Sequence, residues 1–240
     1  MNERFYYEQA DVAGHHTSRA TSGSGFATFL SFVYGWMFLG LILTAGTTFM
    51  VLQSPELANT VANNLLWFFL GEIALVIAIS GMVNTMSLPV AALTFLAYSA
   101  INGLTLGILV AMYSPISAIT AFLTTAGTFG TMTLFGLVTK KDLSSWGSLL
   151  FMGLIGIIFA SLINIFFASS MISILISAVA VFIFVGLIAY DTQKLKHFYR
   201  QGMEYTNTGQ KIAIMGALTL YLDFVILFQH LLYLLGGSRD

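Results

Sequence analysis

The chain has 240 residues, of which 58% are hydrophobic and 8% charged, with a net charge of −1 and no cysteine. A soluble domain carries about 25% charged residues, and a mean hydropathy of +0.88 marks a helical integral membrane protein. These figures exclude disulfides, thiolate metal sites, a cysteine nucleophile and a basic footprint for nucleic acid.

The first 25 residues, MNERFYYEQADVAGHHTSRATSGSG, are polar and lack the apolar core of a signal peptide. Residues 1–25 read as a flexible cytoplasmic tail. Asp11 with His15 and His16 is either a weak metal site or a solvated cluster. A hydrocarbon core of about 30 Å takes about 20 apolar residues per helix. Seven stretches meet that length: 27–52, 62–82, 89–112, 117–138, 146–168, 170–190 and 211–236. They are continuous apolar runs, not the short alternating segments of a barrel.

The connections are short. Ser54-Pro55-Glu56, Ser87-Leu88-Pro89 and Ser114-Pro115 break the first pairs, KKDLSS (140–145) the next, and Ala168-Ser169-Ser170 nearly fuses the fifth and sixth. The long polar connection is DTQKLKHFYRQGMEYTNTGQK, 191–211. With the N-terminus inside, Arg4, Arg19, Lys140, Lys141, Lys194, Lys196, Arg200 and Lys211 fall on the cytoplasmic side and Arg239 alone outside. That bias predicts a cytoplasmic N-terminus and an external C-terminus. Residues 26–240 therefore read as one seven-helix transmembrane domain, an all-α membrane bundle. Gly103 and Gly107, with Gly127, Gly130 and Gly136, read as close helix packing.

Charge inside the spans is confined to Glu72, Asp223 and, at the end of the sixth span, Asp191. Apart from Lys211 at the cytoplasmic edge of the last, no lysine or arginine lies inside a span, which excludes a retinal Schiff base. A carboxylate at mid-bilayer costs at least a few kcal/mol, so each must be protonated, hydrogen-bonded, hydrated or paired with something mobile. Asp223 comes near the membrane middle, with Thr219 four residues before it and His230 seven after, all on one helical face. The stripe is either a hydrated path or a buried hydrogen-bonding face. Glu72 is either a core hydrogen-bonding group or a functional acid. Asp191 has Lys194 at i+3, the spacing of an ion pair. Asn102 and Asn164 read as interhelical hydrogen bonds.

At GLIAYDTQKLK and GALTLYLDFVILF the chain resembles the Bax-inhibitor family of membrane proteins, in its compact bacterial branch. The similarity runs from about residue 26 to the C-terminus and includes YGWMFLGLILTA, LGEIALVIAIS, YSAINGLTLG, AFLTTAGTFG, TKKDLSSWGSLLFMGLIGI and ASLINIFF. The resemblance implies a bundle whose last helix is central and wrapped by the other six. It implies a pH-sensitive calcium leak built on two aspartates that share a proton, here Asp191 and Asp223, with Glu72 near the ion path. Asp191, Asp223 and Glu72 are thus candidate ligands of a weak calcium site, and Thr219 and His230 candidate path residues. Calcium is then cargo, protons the signal and the bilayer the setting; no cofactor is expected. One position departs from the pattern: some members carry an arginine ten residues after the glutamate, where this chain has Met82.

Two carboxyls at hydrogen-bond distance cannot both ionise cheaply, and they titrate as a pair. The spans place Asp191 at the cytoplasmic edge and Asp223 near midplane, so pairing requires the sixth helix to run past the membrane edge or the seventh to tilt. Other classes make distinct demands. Intramembrane aspartyl proteases share the Tyr-Asp of Tyr190-Asp191 but need Gly-x-Gly-Asp where this chain has Leu220-Tyr221-Leu222-Asp223; no enzyme activity is expected. A proton-coupled transporter also uses such carboxylates and histidines. A membrane regulator acting on a partner protein would survive loss of Asp223, and KLKHFYR is a candidate surface for it. The expected location is the bacterial inner membrane.

Overall fold

The computed structural model describes residues 25–200 and 202–236. The tail expected over 1–25, and its His15-His16 pair, lie outside the described residues apart from Gly25. The helices are α1 (Glu3–Gln53, its described part being the span Gly25–Gln53), α2 (Pro55–Asn63), α3 (Leu65–Met82), α4 (Leu88–Ala111), α5 (Pro115–Val138), α6 (Ser144–Phe167), α7 (Ser170–Phe198) and α8 (Asn207–Leu235). A 3₁₀ turn, Met203–Tyr205, precedes α8. Seven of these helices are long and apolar enough to cross a membrane, and no described residue is in a strand. The chain is an all-α membrane bundle.

The proline breaks are helix starts. Ser54 accepts the Leu57 N–H and Ser114 the Ser117 N–H, each with proline in the first turn. There the missing proline N–H has no intrahelical partner to lose. Ser54-Pro55 therefore opens a short helix, α2, rather than a loop. The tight junction at 168–170 is a left-handed residue, Ala168 (φ 47°), braced by Asn164. The Asn164 amide donates to the Ser169 carbonyl and to Ser173 Oγ, at 3.2 and 2.7 Å. Left-handed backbone disfavours a Cβ, so Ala168→Gly is expected to stabilise the protein by about 0.5–1 kcal/mol. An upward shift of the thermal midpoint in detergent checks this.

The last helix is the centre. In its most apolar window α8 is 67% buried, against 6% for α3 and 11% for α6. It packs mainly on α1, α4, α5 and α7. The last helix is central, as expected, with the other spans arranged around it: α1, α4, α5 and α7 touch it directly, while α3 packs on α4 and α6 on α7 as an outer layer. The bundle is two sheaves, α1–α3–α4 and α5–α6–α7, that share α8. Direct contact between the sheaves is sparse; Phe26 and Phe29 on α1 meet the Tyr199 ring at the end of α7, at 5.4 and 5.7 Å between centroids.

Close approach is set by three of the five glycines expected to serve it. A Cβ on Gly103 would meet the Thr44 backbone, on Gly107 the Val51 side chain, and on Gly136 the Ala189 carbonyl. Gly127 and Gly130 have open space beside them, so they are not packing contacts.

The cationic residues gather at one end. There the Gln193 side chain accepts from Leu143 N–H and donates to the Lys141 carbonyl, both at 2.8 Å. Lys211 donates to the carbonyls of Asn84 and Met86 at 3.0 and 2.9 Å. Asp142, between α5 and α6, accepts the Ser144 N–H at 2.9 Å. The Ser144 hydroxyl and N–H hold that carboxyl below its ordinary range.

Candidate functional site

Polar sequence after residue 190 marks the membrane edge, but it does not end the helix. Thr192, Gln193, Lys194, Leu195 and Lys196 continue α7 to Phe198, and most of them are sound helix formers. Asp191 is thereby a buried helical residue, 9% exposed, facing α8. Asp223 is 4% exposed on α8. The two carboxyls lie within hydrogen-bonding reach of one another. The depth conflict expected from the spans is resolved by the extension of α7, without displacement of α8 from the bundle centre.

The second oxygen of Asp223, Oδ2, is buried, and no hydrogen-bond donor among the described residues reaches it. A buried acceptor without a donor is costly, and a proton held between the carboxyls relieves part of that cost. The pair opens onto a cavity of about 540 Å³ lined also by Tyr190, Lys194, Thr219, Ser144 and Ser148. The cavity exists because α6 and α8 both pack on α7 and not appreciably on each other. Gly147 on α6 lets the Tyr190 ring close against it.

Lys194 lines the cavity but does not form the expected i+3 ion pair. Its ammonium lies over the rings of Tyr190 and Phe198, at 5.7 and 5.8 Å from their centroids. Thr219 faces the same cavity, its hydroxyl donating back to the Met215 carbonyl at 3.1 Å.

The other acidic residue is elsewhere. Glu72 on α3 accepts from Thr105 Oγ1 at 2.6 Å and from Asn102 Nδ2 at 3.3 Å. Asn102 Oδ1 in turn accepts from the Tyr221 hydroxyl at 2.9 Å. That hydroxyl lies 2.6 Å from Thr44 Oγ1. Glu72 is thus the end of a chain of hydrogen bonds through α3, α4, α8 and α1. Among the described residues no three His, Cys, Asp or Glu side chains converge as metal ligands. The three carboxylates considered together in the sequence therefore occupy two places. His230 occupies a third: its Nδ1 is 3.1 Å from Ser177 Oγ, and it lines a groove that none of the three carboxylates reaches. Met82 is 55% exposed at the end of α3, on a helix that packs on α4 rather than on the aspartate-bearing helices.

Tyr221 and Thr44 are the members of the Glu72 chain that sequence reading missed. Tyr221 is fully buried, two residues before Asp223. A tyrosine that deep in an apolar run has a hydroxyl to satisfy, and that was the available signal. Asn102 bonds between helices as expected; Asn164 does so across the α6–α7 junction.

Residues 27–240 match the family described as "Inhibitor of apoptosis-promoting Bax1". The inner membrane protein YbhL of Escherichia coli K12 is 42% identical over 220 residues, covering 90% of this chain and 94% of that one. An uncharacterized protein of Deinococcus radiodurans R1 is 43% identical over 213 residues, covering 89% and 91%. An uncharacterized membrane protein of Streptococcus pyogenes serotype M6 is 34% identical over 243 residues, covering 99% and 100%.

Proposed function

The chain belongs to the Bax-inhibitor family of membrane proteins, and from that premise we propose that it is a pH-sensitive calcium leak gated by Asp191 and Asp223. The observation that carries this reading is the meeting of the two buried carboxyls, from α7 and α8, at one cavity. With one shared proton they tie α7 to α8. Without it, two charges face each other; at 4 Å and an effective dielectric near 20, the repulsion is about 4 kcal/mol. That is enough to shift a helix–helix contact, and the same charge attracts a divalent cation. Hard cations favour carboxylate, hydroxyl and carbonyl oxygens. Two carboxylates with Thr219 make a weak, passing site rather than a closed cage.

The gathering of Lys140, Lys141, Lys194, Lys196 and Lys211 at one end supports a cytoplasmic N-terminus and an external C-terminus by the positive-inside rule. The inner-membrane name of the Escherichia coli relative supports a bacterial inner-membrane location. The function needs no cofactor and includes no catalysis. Glu72 and His230 lie outside the gate, as a hydrogen-bonding anchor and a path residue.

The test is calcium entry into liposomes holding the purified protein, measured against empty liposomes over roughly pH 6 to 8, where a shared proton is expected to be lost. Entry that rises with pH supports the leak. Entry no greater than in empty liposomes at any pH removes it and favours a regulator acting through a partner protein. Entry in fixed ratio to proton movement identifies a transporter instead.

A further inference from the structure

The seam between α6 and α8, with α7 behind it, carries a second opening besides the aspartate cavity. This is a groove of about 650 Å³, lined by Ser161, Asn164, Ser173, Ser177, Gln229 and His230 among others. It lies at the end of the bundle opposite the lysines, where α6 ends, α7 begins and α8 makes its last turns.

The two openings approach each other in register. The aspartate cavity extends to Leu154 on α6, Phe184 on α7 and Ile226 on α8. The groove extends to Ser161 on α6, Ser177 on α7 and Gln229 on α8. At 1.5 Å per residue, the layer between them is about 10 Å thick along α6 and α7 and about 5 Å along α8. The hydrocarbon core is about 30 Å, so the two openings leave about a third of this seam closed along α6 and α7.

Helical spacing names the layer. Ile157 lies between Leu154 and Ser161, Ala180 between Ser177 and Phe184, and Leu227 between Asp223 and His230, each three or four residues from both neighbours and hence on the same face. Their exposures are 9%, 0% and 0%. An apolar layer of this kind between two openings holds back ions by staying dry.

The opening between α1, α4, α5 and α8 is lined by Leu41, Phe49, Phe122, Phe224 and Phe228 among others. The polar chain at Tyr221 is already hydrogen-bonded.

We propose that ions cross along the α6–α7–α8 seam. The His230–Ser177 groove is the far mouth, and Ile157, Ala180 and Leu227 form the barrier between it and the aspartates. The mouth takes a hydrated divalent cation through hydroxyl and amide oxygens. This inference rests on the leak reading and adds the route.

The absence of native cysteine permits a direct test on the full-length protein in liposomes. A charged methanethiosulfonate reagent is applied to Ser177→Cys and Ser161→Cys, and calcium entry is measured before and after. Modification is expected to cut entry about fivefold or more, and Ile157→Ser to raise unmodified entry about tenfold by wetting the barrier. Ala180→Ser, a smaller change, serves if Ile157→Ser does not fold, with an expected increase in the same direction. If both cysteines are labelled without effect and the barrier variants match wild type while wild-type entry persists, the route is overturned and the leak stands. If wild type itself passes no calcium, the leak reading and the route fall together.

Discussion

Asp223→Asn is expected to hold calcium entry at the wild type's acid level from roughly pH 6 to 8, while wild-type entry rises about tenfold as the pair loses its proton. Asparagine fills nearly the same volume and still donates a hydrogen bond to Asp191, so α7 stays tied to α8. It has no proton to lose over this range and adds no negative charge to the cavity. Asp191→Asn is expected to behave the same way, and the double variant to add nothing further, because the two residues act as one unit. Circular dichroism and a monodisperse elution profile establish that each variant is folded. A merely structural role predicts something different: lower or higher entry at every pH with the wild-type slope retained. Retention of that slope in both single variants would remove the aspartate pair as the gate.

Tyr221→Phe is expected to destabilise the protein by about 1–2 kcal/mol. The ring remains, with its edge contacts to Phe95 and Tyr98 at 5.8 and 5.7 Å between centroids. What is lost is one hydroxyl that donates to Asn102 and meets Thr44. A buried acceptor left without its donor costs about 1–3 kcal/mol in water-soluble proteins. Interhelical hydrogen bonds in membranes average nearer 0.6 kcal/mol, with a maximum of about 1.7. Tyr221 joins α8 to both α4 and α1, which places it in the upper part of the membrane range. A double-mutant cycle with Asn102→Ala isolates the pairwise share. A thermal midpoint in detergent unchanged from wild type would show that the chain through Glu72, Asn102 and Tyr221 contributes no stability.

The membrane spans were legible because hydropathy reports burial in lipid directly, and the aspartates because a charge in an apolar run has few explanations. The end of α7 was not legible from the same signal. At Tyr190-Asp191 hydropathy falls, but a helix ends only where its backbone does, and Gln193, Lys194 and Leu195 keep it going. Ser54-Pro55-Glu56 carried a helix-start signature, a capping serine followed by proline and an acidic first turn, yet proline also reads as a break. The partners of Glu72 depend on which faces of α3, α4 and α8 meet, and a single helix's spacing does not contain that information. The same limit explains the glycines. Gly103 meets the α1 backbone, whereas Gly127 and Gly130, alike in sequence context, face open space.

The sharing of one central helix by two sheaves also bears on how the protein is made. Of the seven spans, α8 is synthesised last. Until it enters the membrane, α1–α3–α4 and α5–α6–α7 lack the surface on which both assemble, and Asp191 lacks its partner. The order of synthesis therefore makes insertion of the seventh span the step that joins the two groups and brings Asp223 to Asp191.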